Sequence, residues 1–441
     1  MFASTQALLA AYSSCTGITT DSRQLTPGHL FVALRGERFD GHDFIEAAFQ
    51  AGVSYALVDR EEWADHPKCL YVQDTLTGLQ QLARAYRDTF HIPLIGLTGS
   101  NGKTTNKELL AAVLGTTLRV HATFGNLNNH IGVPLTLLRM PKDTQIAVIE
   151  MGANHQQEIA DLCRICAPTH GFITNIGKAH LEGFGGLEGV RKGKGELFDY
   201  LAASGGTVFV QSTIPPLADM AAERTSRQIQ SYSAESLGIQ ATSFAPHITF
   251  QWKNKTYTTH LAGPYNFDNL VNALYIGTFF GVNPELAAQA VADYAPTNHR
   301  SQRMAIGSNT LWMDAYNANP SSMQAALQMF MEMPSDQPKA VILGDMFELG
   351  TDSPAEHAAL GKLIAKGAFD WVVLYGENMQ HALPYLPKAY YFTDKFSLHN
   401  WLIDKQIQNQ FILIKGSRGV ALESVLTVFK TLATENLSTD S

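Results

Sequence analysis

Short apolar runs recur along this chain, and most end in a glycine-containing or polar turn. Segments 92–98, 145–150, 171–176 and 206–210 are mostly apolar and too short for stable helices, so they predict buried strands. Between them lie stretches with helical spacing, such as 104–114 with Leu109, Leu110, Val113 and Leu114. Strands alternating with helices over 91–297 predict a parallel sheet covered on both faces. Residues 248–260 alternate around a polar centre and predict a hairpin. Gly263-Pro264 opens a further helix whose asparagines either cap it or touch a base.

Two flanking regions follow the same logic. Residues 1–90 combine the strand-like 28–36 and 55–58 with a turn and helix at 39–48, a small α/β unit. Residues 298–441 repeat an apolar strand followed by a polar turn at 311–323, 340–350 and 411–419, a second α/β unit. Asn319 suits an N-cap, with Pro320 at the first helical position. The expected architecture is therefore α/β in three domains, at 1–90, 91–297 and 298–441. A length of 441 residues agrees, at about 150 residues per domain.

Composition narrows the class. Hydrophobic residues form 45% of the chain, enough for sizeable cores. A net charge of −8 with no basic run argues against nucleic acid as the main partner. No apolar stretch approaches a membrane span or a secretory leader, so a cytoplasmic protein without membrane insertion is expected. Cys15, Cys69, Cys163 and Cys166 do not form a disulfide pattern. Cys163 and Cys166 sit late in a helical stretch ended by Pro168, which predicts two small buried side chains on one face.

The chemistry centres on Thr98-Gly-Ser-Asn-Gly-Lys-Thr-Thr105, between a strand and a helix. Backbone N–H groups at a helix N-terminus, reached through Gly99 and Gly102, suit a phosphate. Lys103 would meet the outer phosphates, and Thr104 would offer a hydroxyl to Mg²⁺. The general phosphate-loop rule wants a glycine at position 97, where Leu97 stands, so the spacing differs from that of kinases and GTPases. Ligands in open α/β sheets bind beyond the carboxyl ends of the strands. One edge is thus expected to collect Lys103, Thr104, Glu150 and His180. Gly183 to Gly195 reads as a long glycine-rich loop carrying Arg191, Lys192 and Lys194, with a helix from about Glu196. Ser22, Arg23 and Arg35 offer donors for a diphosphate.

Further motifs fall in order along almost the whole chain: Thr123-Phe-Gly-Asn-Leu-Asn-Asn-His130, Glu150-Met-Gly-Ala-Asn154, Thr174-Asn-Ile-Gly-Lys-Ala-His180, Asp314-Ala-Tyr-Asn-Ala-Asn-Pro320, Leu343-Gly-Asp-Met346 and Lys415-Gly-Ser-Arg418. Together with the 98–105 loop they resemble the Mur ligase family, whose loop is shared with folylpolyglutamate synthetases. Tyr-Asn-Ala-Asn-Pro is similar to the branch that joins D-alanyl-D-alanine to UDP-N-acetylmuramoyl-tripeptide. The resemblance implies a UDP-binding N-terminal domain, a central ATP domain, and a Rossmann-like C-terminal domain that closes on ATP and brings the dipeptide. It implies ATP and Mg²⁺ as cofactors, an acyl-phosphate intermediate, a role in peptidoglycan precursor synthesis, and a monomer.

The same resemblance assigns residues. Lys103, Glu150, His180 and Lys194 are the implied catalytic set, and Thr104, Glu150, His180 and Lys194 the metal set. Lys194, with Lys192 as the other candidate, matches the family lysine that becomes carbamylated. ATP contacts are implied for Thr98, Gly99, Ser100, Asn101, Gly102, Lys103, Thr104, Thr105, Asn266, Asn269, Asn317 and Asp345, and for Arg300 with Arg303 as the alternative. Substrate contacts are implied for Ser22, Arg23, Asn126, Asn128, Asn129, Lys415 and Arg418. Tyr265 stands where the family has histidine. A ligase for a different amino acid, or a non-catalytic nucleotide-binding module, are the other readings.

Overall fold

The computed structural model describes residues 2–224, 228–296 and 302–439. It groups into two compact units, each assembled from several stretches of chain. The first comprises Met1–Gly99, Leu114–Thr174 and Gly193–Tyr232, and the second Ser100–Val113, Asn175–Lys192 and Ser233–Ser441.

The first unit holds two parallel sheets. Strands β1 (Gly17–Thr19), β2 (His29–Val32), β3 (Tyr55–Val58) and β4 (Cys69–Tyr71) lie in the order β1-β2-β3-β4. Phe31, Ala56 and Val58 pack there with Ile45, Ala48 and Val53. The larger sheet takes β5 (Leu94–Thr98), β6 (Val120–Ala122), β7 (Ile146–Glu150), β8 (His170–Ile173), β9 (Thr207–Gln211) and β10 (Ile229–Tyr232), in the order β10-β9-β8-β5-β7-β6. All its pairings are parallel. Every residue of β5 and β7 is buried, as continuous apolar runs demand when both faces of a sheet are covered.

In the second unit, β11 (Gln240–Ser243), β12 (Thr249–Trp252) and β13 (Lys255–Thr258) form an antiparallel sheet. The expected hairpin is β12–β13, and its turn residues Lys253 and Asn254 are both left-handed, at φ 50° and 62°. A six-stranded sheet follows: β14 (Gln302–Ile306), β15 (Asn309–Met313), β16 (Lys339–Gly344), β17 (Trp371–Tyr375), β18 (Tyr390–Phe392) and β19 (Phe411–Lys415), in the order β14-β15-β19-β16-β17-β18. Only β14 runs antiparallel to its neighbour. Its core includes Leu311, Met313, Ile342, Val373, Ile412 and Ile414.

Helices that matter below are α1 (Lys103–Gly115), α2 (Leu187–Ser204), α3 (Pro264–Phe279), α4 (Pro320–Glu332) and α5 (Ser353–Ile364). Asn319 caps α4 through a reciprocal pair with Ser322, with Pro320 inside the first turn. Cys163 and Cys166 are buried on helix Glu158–Cys166, both thiols facing Met151 Sδ at 3.9 Å. One expectation fails. The stretch expected as a glycine-rich loop with a helix from Glu196 is already helical from Leu187, through Gly189, Gly193 and Gly195. Val190, Leu197, Phe198 and Leu201 are wholly buried, and this packing outweighs the poor helix propensity of glycine. Gly195 serves packing: a Cβ there would lie 2.7 Å from the Arg224 guanidinium.

Candidate active site

Strands β5, β7 and β8 end side by side, with Leu97 paired to Glu150 and Thr98 to Ile173. The chain leaves β5 at Thr98, whose buried hydroxyl has no hydrogen-bond partner. It then runs through Gly99 to Gly102 into α1. A Cβ at Gly99 would overlap the Thr174 hydroxyl. Gly102 has φ 78°, and a Cβ there would lie 2.7 Å from Asn269 Oδ1. Glycine is needed at both positions by close approach as much as by backbone angle.

The loop is held from outside itself. Ser100 N–H donates to the Asn175 carbonyl at 3.1 Å, and Asn101 N–H to Asn175 Oδ1 at 3.0 Å. Asn175 Nδ2 donates back to the Asn101 carbonyl at 3.1 Å. Ser100 Oγ donates to the Gly177 carbonyl and accepts from Gly177 N–H. Asn319 Nδ2, beside α4, donates to Asn101 Oδ1 at 2.8 Å. Lys103 and Thr105 are half-buried at the start of α1, and Thr104 is buried.

Behind this loop lies a buried network of amides. Asn106 Nδ2 donates to the Gly102 carbonyl at 2.9 Å and to Asn269 Oδ1 at 2.6 Å. Asn269 Nδ2 donates to Asn266 Oδ1, and Asn272 Nδ2 to Asn106 Oδ1. Asn266 and Asn269 therefore neither cap α3 nor stand alone; they couple it to α1. Asn106 and Asn272 escaped the sequence reading because mid-helix asparagine carries no motif. Asparagine at 266, 269 and 272, three residues apart, was the available signal.

Glu150 is almost wholly buried, at 1% exposure. Its Oε1 accepts from Asn128 Nδ2 at 2.8 Å, and its N–H donates to Thr123 Oγ1 at 2.9 Å. Asn129 Oδ1 is turned to the N–H groups of Ile131 and Gly132, starting helix Gly132–Leu138. Asn126 is exposed, and its carbonyl accepts from Asn128 N–H at 2.8 Å. Lys194 lies on α2 with no exposed surface, donating to the Ala153 carbonyl at 3.0 Å; its expected loop position is corrected by the helix. Lys192, the other candidate, is exposed. Glu196, a turn further on, accepts from Gln157 and Ala160 N–H and so holds the start of helix Glu158–Cys166. Burial raises its pKa despite these donors.

His180 follows β8 as the N-cap of a short helix, Leu181–Phe184, in a left-handed conformation at φ 54°. Its Nδ1 is in ion-pair contact with Glu348 Oε2. Lys415 is buried and reaches Asp314 Oδ2 at 2.6 Å and the Asn317 carbonyl at 3.0 Å. Asn317 Oδ1 accepts from Ala318 N–H at 2.9 Å. Arg418 is exposed over the Tyr316 ring at 5.0 Å. Asp345 is buried and accepts from Asn378 and Met379 N–H and from Asn378 Nδ2, so its oxygens are committed to the 378–385 turn. Arg300 lies outside the described residues; Arg303 sits on β14 over the Phe411 ring at 5.8 Å.

In the N-terminal region, Ser22 is half-buried, and Arg23 is exposed and pairs through two nitrogens with Asp21. A cavity of ≈ 270 Å³ opens at the carboxyl ends of β2 to β4, lined among others by Arg35, Asp59, Thr75 and His130. Asp59 accepts from Thr75 N–H at 3.0 Å and pairs with Arg35, while its own N–H donates to the buried His42 Nε2. Burial raises the Asp40 pKa, but the His42 backbone N–H, its imidazole and Arg60 outweigh this and bring it to about 2.

Among the described residues no three His, Cys, Asp or Glu side chains group to hold a metal. Thr104 carries a hydroxyl and Glu150 a carboxylate, each an oxygen donor of the kind Mg²⁺ prefers. No helix among the described residues is long and apolar enough to cross a membrane.

Family models match the chain in order: "Mur ligase family, catalytic domain" at 14–89, "Mur ligase middle domain" at 97–277 and "Mur ligase, glutamate ligase domain" at 299–418. The UDP-N-acetylmuramoyl-tripeptide–D-alanyl-D-alanine ligase of Bacillus subtilis (strain 168) is 37% identical over 93% of this chain and 92% of that protein. This chain belongs to the Mur ligase family. The ligase of the same name from Escherichia coli (strain K12) is 36% identical over 93% of this chain and 92% of its own length. A crystal structure of MurF from Acinetobacter baumannii is similar at a TM-score of 0.86, with 31% identity, covering 97% of this chain and 99% of that one. MurF ligase from Thermotoga maritima in complex with ADP is similar at 0.83, with 25% identity over 97% and 99%. The fold is accordingly the three-domain α/β architecture of Mur ligases.

Proposed function

We propose that this Mur ligase joins D-alanyl-D-alanine to UDP-N-acetylmuramoyl-tripeptide at the expense of ATP, in peptidoglycan precursor synthesis. The observation that carries this is the similarity to ligases of that name over more than nine-tenths of both chains. The proposed domains are 1–90 for the UDP-sugar, 91–297 for ATP, and 298–441 for the incoming dipeptide.

A carboxylate is a poor electrophile at neutral pH. In the proposed reaction its oxygen attacks the γ-phosphorus, and ADP leaves with the electron pair of the bridging oxygen. The dipeptide amine then attacks the acyl carbon, phosphate departs, and the amine proton is released. Two anions must meet in the first step, so positive charge and aligned N–H groups must offset their repulsion. Lys103 and the N–H groups at the start of α1 take the phosphates. Thr104, Glu150, carbamylated Lys194 and His180 would hold Mg²⁺, which supplies neutralising charge at the γ-phosphate. Carbamylation would turn a fully buried cation into an oxygen donor.

Thr98 to Thr105 cradle the phosphates, with Asn266, Asn269, Arg300, Asn317 and Asp345 as further ATP-side residues. Asp345 acts by holding the backbone at 378 and 379, and Asn266 and Asn269 through the amide network that joins α3 to α1. Ser22 and Arg23 take the UDP end, Asn126, Asn128 and Asn129 the sugar-peptide, and Lys415 and Arg418 the dipeptide. The protein acts as a cytoplasmic monomer.

Phosphate release from ATP, measured with UDP-N-acetylmuramoyl-tripeptide and with or without D-alanyl-D-alanine, tests this reading. Release that needs both substrates supports it. Release with another amine points to a different Mur-type or folate-type ligase, and none with any acceptor to a nucleotide-binding module. Lys194→Ala should lose most activity and regain part of it with added small carboxylates; near-normal turnover would remove Lys194 from the site.

A further inference from the structure

Asn319 uses both edges of its side-chain amide, and the backbone decides which edge is which. It is buried and precedes α4 as its N-cap. Its Oδ1 accepts from Ser322 N–H at 2.9 Å, and a backbone N–H can only donate. The nitrogen edge is therefore the one turned to Asn101 of the phosphate loop, where Nδ2 donates to Oδ1 at 2.8 Å. That donor in turn sets the Asn101 amide, with its acceptor oxygen engaged.

Neighbouring residues hold Asn319 in this place. Its N–H donates to Ser322 Oγ at 3.0 Å, which closes the cap. Ser417 Oγ donates to the Ala318 carbonyl at 3.2 Å, and Lys415 Nζ to the Asn317 carbonyl at 3.0 Å. The start of α4 also meets the segment that supports the loop backbone. Ser321 Oγ accepts from Lys178 N–H at 3.0 Å, and a Cβ at Gly177 would lie 2.8 Å from that oxygen. Gly177 itself exchanges two hydrogen bonds with Ser100 Oγ. The loop backbone is thus held by 175–177, and the Asn101 side chain by Asn319.

We infer that Asn319 is a positioning residue for the phosphate loop: capping α4 fixes its amide, and the amide holds Asn101 with its acceptor oxygen already paired. A phosphate presents acceptor oxygens, so an unpaired carbonyl oxygen on the loop would oppose it, whereas donors favour it. Asn319 touches no nucleotide; it acts through Asn101. The inference rests on the proposed nucleotide role of residues 98–105.

Calorimetric titration of the full chain with ADP tests it. Serine caps a helix about as well as asparagine but has no amide to reach Asn101. N319S should therefore melt close to wild type and bind ADP about three- to tenfold more weakly, the scale of one neutral hydrogen bond. S322A is the converse: it loosens the cap and leaves the Asn319 amide in place, so it should melt lower and bind ADP within about twofold of wild type. N101A/N319S should bind ADP no more weakly than N101A, because the amide has no route except Asn101. In protein labelled with ¹⁵N-asparagine, the Asn319 side-chain signals, assigned by their loss in N319S, should shift in N101A without any nucleotide. If melting curves show that N319S fails to fold, N319T, another capping residue without an amide, takes its place. Unchanged ADP affinity in N319S, an equal loss in S322A, additive losses in the double variant, or unmoved Asn319 signals in N101A each overturns the inference. Wild-type protein that binds no ADP removes the nucleotide reading of the loop, and this inference with it; binding by wild type together with any of those four results removes the inference alone.

Discussion

Asn128 grips Glu150 from the side chain and Gly152 from the backbone: its amide donates to Glu150 Oε1 at 2.8 Å, and its carbonyl accepts from Gly152 N–H at 2.7 Å. The asparagine expected as a substrate contact thus also sets the buried carboxylate at the end of β7. N128A removes a donor to a charged group, a loss of about 1.5–3 kcal/mol. We expect kcat to fall by roughly tenfold and the half-saturating Mg²⁺ concentration to rise. Steady-state rates across a Mg²⁺ titration check this, and an unchanged Mg²⁺ dependence would refute it.

Gly102 and Gly281 share a left-handed backbone, at φ 78° and 85°, yet differ in surroundings. A Cβ at 102 meets Asn269 Oδ1 at 2.7 Å, whereas one at 281 meets nothing within 4 Å. Both alanine variants carry backbone strain of about 1–3 kcal/mol. Only G102A should also weaken ADP binding, by at least about tenfold, since it displaces the loop that α1 starts from. Calorimetric titration of both variants with ADP separates strain from contact. Equal affinities in the pair would count against a phosphate role for this loop.

Glu196 accepts two backbone N–H bonds from the 157–160 turn, at 2.6 and 2.9 Å. E196A leaves both donors unmet and should cost about 1–2 kcal/mol, on the scale of a lost helix cap. E196Q keeps one acceptor oxygen and sheds the burial cost of a carboxylate, so its melting temperature should stay closer to wild type. Thermal melts at pH 7 rank the three proteins; E196Q melting below E196A would contradict this.

All four thiols are held protonated by burial. Cys15 and Cys69 are pushed up to about 11 and Cys166 to about 12, and Cys163 is raised well above the ordinary thiol value. Unfolded thiols ionise near ~8.5. Above that pH the unfolded chain holds fewer protons than the native one, so stability falls as pH rises from about 9 towards 12. The denaturant midpoint should drop between pH 8 and pH 10, and drop less in C163A/C166A. Folded protein should react slowly with a thiol reagent at pH 8.

Much of the fold is written in local spacing. The runs at 92–98 and 145–150 read as buried strands because a covered parallel sheet needs apolar residues on both faces, and β5 and β7 are buried throughout. The glycine-lysine turn after β5, the β12–β13 hairpin and the Asn319 cap were legible for the same reason, since each depends on residues a few positions apart. The helix through Gly189 to Gly195 was not. Local propensity favours a loop there, and tertiary burial of Val190, Leu197 and Phe198 decides otherwise. The partners were hidden too: Asn106 for Asn269, Glu196 for Gln157, Glu348 for His180. The sequence alone determined which chemical groups the protein carries and the order of its elements, because those follow from side-chain type and short-range periodicity. Only the tertiary structure decided which groups hold which, because a hydrogen bond acts over about 3 Å and joins residues whose separation along the chain is set by the packing of whole elements.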